Sequence, residues 1–165
     1  MADLTLAERL QPSLLDRLTD DEPNRTVEAR DARAIDVRRL RDIIQRDLTW
    51  LLNTGNMESE HDLEAFPQVA ASTLNYGVPD VTGNVATVRR AVDLQVLIRR
   101  AVERFEPRIL PDTLEIDLRE QRIGEGALIS FDIRGELWAQ PLPLELYLRT
   151  ALDLTTGELT VDRQV

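Results

Sequence analysis

The chain has 165 residues, enough for one domain with a hydrophobic core, and its hydrophobic fraction of 42% is typical of a soluble globular protein. A formal net charge of −10 opposes binding to nucleic acid and to anionic membranes, and no apolar run approaches the length of a membrane span. With no cysteine and one histidine, His61, the chain excludes disulfides and thiolate or multi-histidine metal sites, so we expect neither metal nor other cofactor.

The N-terminal part, residues 1–33, reads as a polar arm rich in arginine and aspartate. It contains a short leucine motif made by Leu14, Leu15 and Leu18. Such a patch is too short to fold alone. Two interpretations are open: a frayed terminus, or a segment that docks into a groove of a partner through these three leucines. We assign residues 34–165 to a single domain.

Two amphipathic helices are predicted, at residues 34–53 and 84–105, because apolar side chains recur there at helical spacing. Gly55 is a plausible stop for the first helix. The apolar positions are Val37, Leu40, Ile44, Leu48 and Leu51 in the first helix, and Val88, Val92, Leu94, Leu97, Ile98, Ala101, Val102 and Phe105 in the second.

The segment between these helices, residues 54–83, is predicted to be rich in loops, with one short helix at residues 63–71. Its turn signals cluster around Asn75 and Tyr76, which are followed by glycine and proline. We expect Asn75 and Tyr76 to serve in capping and packing.

After residue 110 the apolar period changes to two, which predicts β-strands. Alternating segments begin near residues 114, 127 and 142, and a hairpin turn at residues 155–157 leads to a last strand at residues 158–162. Gly135 looks like a bulge or a bend, because Trp138 breaks the alternation. Each strand is apolar on one side only. We therefore predict an α+β fold, with N-terminal helices packed on one face of a C-terminal antiparallel sheet of about four strands.

The connection between the last predicted helix and the first predicted strand contains Glu106, Pro107 and Arg108. Pro107 disfavours a helical conformation at Glu106, so the helix should stop near Phe105, with Arg108 pointing away on the following turn. Opposite charges at a rigid kink are explained by a buried ion pair, by a partner anchor or by half of an acid–base site. A glycosidase needs two carboxylates facing a cleft; Glu106 could be one, with Glu103, Asp112 or Glu115 as the other, but nothing in the spacing favours such a pair, so we assign no catalytic residue.

Five stretches of this sequence carry a family resemblance. They are Ser13-Leu14-Leu15-Asp16-Arg17-Leu18, Leu51-Leu52-Asn53-Thr54, Ser72-Thr73-Leu74-Asn75-Tyr76-Gly77-Val78-Pro79-Asp80, Phe105-Glu106-Pro107-Arg108-Ile109 and Leu152-Asp153-Leu154-Thr155-Thr156-Gly157. In this order they resemble TssE, the wedge subunit of the type VI secretion baseplate, which is similar to the lysozyme-like wedge protein of contractile-tail phage baseplates. Gly55 departs from the pattern, which would place an arginine after Asn-Thr.

The resemblance implies a structural wedge component and not an enzyme, located in the baseplate on the cytoplasmic side of the inner membrane. It implies TssF and TssG as wedge partners and a starting platform for the TssB–TssC sheath, with TssK and the base of the spike and tube as further candidates. Glu106, Pro107 and Arg108 would then hold the fold or bind wedge partners. The rival functions are a peptidoglycan hydrolase and an acidic adaptor or chaperone.

An edge strand of the sheet is the expected contact for the sheath. We expect the strand containing Leu159, Thr160 and Val161, or the one at residues 114–118, to pair with a strand of a sheath subunit by β-augmentation.

Overall fold

A computed structural model of the chain describes residues 13–19, 24, 37–80, 88–122, 128–138 and 143–163, except the side chains of residues 88–90, 120–122 and 163. The fold is α+β, as predicted, with helices preceding a four-stranded antiparallel sheet. The helices are α1 (Leu14–Leu18), α2 (Val37–Leu52), α3 (Pro67–Ala70) and α4 (Val88–Phe105). The strands are β1 (Glu115–Arg122), β2 (Leu128–Leu137), β3 (Leu144–Asp153) and β4 (Leu159–Arg163). The division at residue 33 falls outside the described residues and stays a prediction.

Helices α2 and α4 form the layer that covers the core face of the sheet. Helix α2 contacts β4 and helix α4 contacts β1, so each long helix lies beside one edge strand. The predicted apolar face of α2 is buried from Leu40 to Leu51, but the face of α4 is narrower than predicted, because Val92 remains 51% exposed. Within the described residues, neither helix is long and apolar enough to cross a bilayer.

The sheet is a simple meander in which each strand pairs with the next one along the chain. Strands β1 and β4 are therefore its edges. The predicted alternation is confirmed in the central strands, where Ile129, Phe131 and Ile133 of β2 and Leu148 of β3 are fully buried. The alternation fails at Leu118 of β1, which is 39% exposed.

Of the bulge or bend predicted at Gly135, the bulge is wrong. Strands β2 and β3 pair without interruption from Leu128 to Leu137, and the irregularity lies instead in β1, between Leu118 and Glu120. Position 135 is tight for another reason: a Cβ there would lie 3.0 Å from Cγ2 of Ile109, whose side chain would have to shift by a few tenths of an ångström. The missing side chain leaves room for the segment that follows Pro107.

Gly77 lies where the loop between α2 and α4 packs against the end of α2. Its φ of 118° is left-handed, and a Cβ would lie 2.1 Å from the carbonyl oxygen of Thr54, so no other residue fits. Beside it, the N–H of Val78 donates to the oxygen of Thr54 (2.9 Å), and the N–H of Asn56 donates to the oxygen of Val78 (3.0 Å). No described atom lies within 4 Å of a Cβ at Gly55, so the start of a side chain would meet no clash there.

Asn75 has the packing role expected from its turn signals. It is 2% exposed, its Oδ1 accepts from the N–H of Glu58 (3.1 Å), and its Nδ2 donates to the oxygen of Ala70 (3.0 Å). It therefore joins the short helix α3, which is shorter than the predicted helix at residues 63–71, to the segment after α2.

Candidate functional site

The segment that follows Pro107 joins the last helix to the sheet through its backbone. Helix α4 ends at Phe105, as the proline predicts. Beyond the proline, the N–H of Trp138 donates to the oxygen of Arg108 (2.7 Å), and the N–H of Leu110 donates to the oxygen of Glu136 (2.8 Å). The segment is thereby hydrogen-bonded to the end of β2.

Glu106 and Arg108 form a buried ion pair at this junction. The side chain of Glu106 is 4% exposed, and the guanidinium of Arg108 donates from Nε to Oε1 (2.6 Å) and from Nη2 to Oε2. The expectation that Arg108 points away is wrong, because the turn after Pro107 brings the guanidinium back over a carboxylate that has lost its water. Both oxygens of Glu106 are used by one arginine, which makes the pair a structural joint.

The pair extends into a longer line of alternating charges. Nη2 of Arg108 also donates to Oδ2 of Asp47 on α2 (2.6 Å). Arg46 donates to Oδ1 of Asp47 (2.7 Å) and, from Nη1, to Oδ1 of Asp16 on α1 (2.6 Å). We call this line, from Glu106 through Arg108, Asp47 and Arg46 to Asp16, the charge chain. It connects α1, α2 and the junction.

The charge chain keeps its arginines charged. Burial alone would lower the pKa of Arg108, but hydrogen bonds and charges from Glu106 and Asp47 outweigh it and raise that pKa. The pKa of Arg46 is raised, chiefly by its hydrogen bond to Asp16, and the same bond lowers the pKa of Asp16. These three groups are therefore ionised near neutral pH.

An aromatic pair packs beside the charge chain. The ring of Tyr76 meets the ring of Phe105 edge to face, with centroids 5.2 Å apart. Burial, followed by the charges of Asp47 and Glu106, raises the pKa of Tyr76 above its ordinary value. The loop that carries Tyr76 thus lies against the junction, and the tyrosine stays neutral.

The leucine motif forms helix α1, which is attached by its polar side. The side chain of Asp16 is 7% exposed against Arg46, whereas Leu14, Leu15 and Leu18 are 71%, 47% and 75% exposed. Since an amphipathic helix ordinarily buries its apolar side, α1 has the reverse orientation. Its leucines face solvent.

Both edges of the sheet are bonded by side chains of the long helices. At β4, the N–H of Leu159 donates to Oδ1 of Asn53 (2.9 Å), and Nδ2 of Asn53 donates back to the oxygen of Leu159 (2.7 Å). Gln45 donates to the oxygen of Val161 (2.7 Å). At β1, Gln95 donates to the oxygen of Ile116, and Arg99 donates to that of Leu114 (2.6 Å). Pairing of β4 with a sheath strand stays a prediction. Such a strand would have to replace the hydrogen bonds that Asn53 and Gln45 make to β4.

A second buried carboxylate, Asp132, lies on the opposite face of the sheet. Its side chain is 5% exposed and accepts from the hydroxyl of Tyr147 (2.9 Å), Nη1 of Arg119 (3.1 Å) and Nε of Arg149 (3.2 Å). We call these four residues the Asp132 cluster. Burial would raise the pKa of Asp132, but the three donors outweigh it and lower that pKa.

Sequence reasoning placed Glu106, Pro107 and Arg108 correctly at the junction but missed Asp47 and Asp132. Asp47 stands between Arg46 and the buried Leu48, on the border of the apolar face of α2, and this position is its sequence signal. Asp132 counted only as one outward polar residue in an alternating strand. Its signal is that β2 is central, so neighbouring strands supply arginines on both sides.

One family comparison matches this chain. A family model described as baseplate wedge protein gp25 matches residues 38–142, more than half of the chain. The matched span contains Arg46, Asp47, Glu106 and Arg108, and it ends before β3. Comparison with curated proteins and with solved structures gives no match.

Proposed function

The chain belongs to the gp25 family of baseplate wedge proteins, and on that premise we propose that it is the wedge subunit of a type VI secretion baseplate. Family membership makes it a component of a phage-tail-like baseplate. We further propose that it binds TssF and TssG and offers a starting platform for the TssB–TssC sheath. Its proposed location is accordingly the cytoplasm, against the inner membrane.

The observation that carries this proposal is the Glu106–Arg108 joint, which lies inside the matched span. A buried pair whose carboxylate oxygens both accept from one guanidinium suits a subunit that must keep its shape under contact with neighbours. Glu106 does not line the 440 Å³ cavity between Leu94, Leu152 and Leu159.

We propose that α1 is the contact for the wedge partners. Its three leucines are exposed at helical spacing, which is the pattern of a helix that docks into an apolar groove. The ion pair between Arg46 and Asp16 holds these leucines outward before any partner binds. A docked segment of this kind loses less conformational freedom on binding than an unattached one.

The test is co-purification of the chain with TssF and TssG. We expect a stoichiometric complex with the unaltered chain and its loss when Leu14, Leu15 and Leu18 are all changed to serine. Leu74→Ser is the matched control, because Leu74 is 70% exposed at a different place on the surface. A complex that survives the triple change contradicts docking through α1.

A separate assay addresses enzymatic activity. We expect the purified chain to release no fragments from peptidoglycan. Release that is abolished by Glu106→Gln would contradict the structural role and favour a hydrolase. A partner bound only transiently, without a stable complex, would favour an adaptor.

A further inference from the structure

The carboxamide of Asn53 occupies the place of a strand residue at the edge of β4. In an antiparallel ladder, a hydrogen-bonded residue pair exchanges an N–H donor and a carbonyl acceptor in both directions. Asn53 makes this exchange with Leu159, at 2.9 and 2.7 Å. Gln45 bonds the next outward carbonyl, that of Val161, two residues further along the strand.

The opposite edge is bonded differently. At β1, Gln95 and Arg99 act only as donors, to the oxygens of Ile116 and Leu114. They do not reproduce the two-way exchange of a strand. The β4 edge is therefore the one whose bonds an incoming backbone can replace group for group.

We propose that Asn53 and Gln45 form a removable cap on β4, and that an extended segment of a sheath subunit binds by displacing them. This inference rests on the proposed function. The incoming backbone takes over the N–H and oxygen of Leu159 and the oxygen of Val161. The cap keeps the edge closed to other chains until then, since an open edge strand pairs readily with any exposed strand.

A cavity next to the cap defines the chemistry of the occupant. It has a volume of 440 Å³; one part of its lining is apolar, with Leu94, Leu97, Leu152 and Leu159, and the other part is polar, with Asn53, Ser59, Glu60 and Asp80. Alternate side chains of a strand laid along β4 point towards the helical layer. The segment is therefore extended and places an apolar side chain against the leucines that line one part of this cavity.

Displacement leaves Asn53 with a partner. Its Nδ2 donates to the oxygen of Thr49 (2.8 Å) as well as to Leu159. When the incoming strand takes Leu159, the amide keeps its bond at the end of α2. This lowers the cost of opening the edge, because an amide without any hydrogen bond would be penalised.

The test measures binding of purified TssB–TssC heterodimer to the full chain in the presence of TssF and TssG. Because Asn53→Ala removes two bonds that compete with the sheath segment, we expect about tenfold tighter binding. Gln45→Ala removes one hydrogen bond and should tighten binding about threefold. Gln95→Ala, the matched control at the opposite edge, should leave the affinity unchanged.

Hydrogen exchange at single amides tests the cap without any partner. In Asn53→Ala the amide of Leu159 should lose its protection, while the amide of Thr160, which faces β3 by the alternation of the ladder, should keep it. Retained protection at Thr160 shows that the variant is folded.

The outcomes separate the two proposals. If the unaltered chain does not bind TssB–TssC, the platform role fails. If it binds, but Asn53→Ala and Gln45→Ala bind equally well or more weakly, the cap is overturned. If only Gln95→Ala binds TssB–TssC more tightly, the sheath contact lies at β1, and the proposed cap on β4 is also overturned.

Discussion

The charge chain at the junction holds together parts of the sequence that are far apart, whereas the Asp132 cluster holds together neighbouring strands. Arg108 meets Asp47 across 61 residues, and Arg46 meets Asp16 across 30. Asp132 meets its donors within 13 to 17 residues. Each arrangement buries a carboxylate beneath arginine, but the first connects elements and the second reinforces a sheet that its register already defines.

This difference decides what each carboxylate contributes. Strands β1, β2 and β3 are paired by backbone ladders whether or not Asp132 is present. The contact between the junction and α2, in contrast, has Arg108 at its centre, bonded to Glu106 and Asp47 together. We therefore expect the junction to be the more sensitive of the two regions.

The largest effect is expected for Arg108→Ala. It leaves Glu106 buried without its counter-charge, so the free energy of unfolding should fall by about 3–5 kcal/mol. Urea denaturation followed by circular dichroism measures the change. The control is Glu103→Ala, which removes an exposed ion pair with Arg99 (3.7 Å) and should cost no more than about 0.5 kcal/mol. Equal losses in the two variants would show that the junction pair is not desolvated.

A smaller loss is expected for Asp132→Ala. The arginines of the Asp132 cluster are 32% and 49% exposed and return to water when the carboxylate is removed. The free energy of unfolding should fall by about 1–3 kcal/mol, mainly from lost hydrogen bonds. The same denaturation experiment ranks it against Arg108→Ala, and the reverse order would contradict the comparison.

Acid should weaken the Asp132 cluster in a defined direction. Because the pKa of Asp132 is lower in the folded chain than in the unfolded one, its contribution is present above the unfolded pKa. That contribution is lost as the pH falls through the folded pKa. The stability difference between the unaltered chain and Asp132→Asn should therefore shrink between pH 7 and pH 3 (roughly the window that ordinary aspartate values define). A constant difference would contradict the lowered pKa.

The smallest global effect is expected for Asp16→Ala. It cuts the far end of the charge chain, at an arginine that is 31% exposed, so the free energy of unfolding should change by less than about 1 kcal/mol. Locally, α1 should become accessible, and limited proteolysis should cleave near Arg17 faster than in the unaltered chain. Arg17→Ala and unchanged cleavage elsewhere serve as controls. Unchanged cleavage in Asp16→Ala would show that the ion pair does not hold α1.

The sequence predicted what depends on local chemistry. The end of α4 at Phe105 follows from the proline, and the buried positions of α2 and β2 follow from the apolar period. The orientation of Arg108 was predicted wrongly, because it is decided by Glu106 and by Asp47, a residue on another helix. No periodicity within the segment around Pro107 contains that contact.

The roles of Gly135 and Asn53 also depend on contacts with distant parts of the chain. Gly135 interrupts an alternating pattern, which suggested a bulge, but its small size serves the close approach of Ile109 from the junction. Asn53 follows a helix in an ordinary way and bonds β4 across 106 residues. Contacts between distant elements are set by packing, and a single sequence read by local rules does not report them.

The hydrogen bonds that join the segment after Pro107 to the end of β2 have a mechanical consequence. Traction applied to helix α4 follows the chain into the edge strand β1, and these hydrogen bonds pass part of it directly to β2, which has a neighbouring strand on either side. The outer strand β1 therefore does not carry the load alone. In a baseplate subunit held between neighbours, part of any strain on α4 would thus be spread to the middle of the sheet.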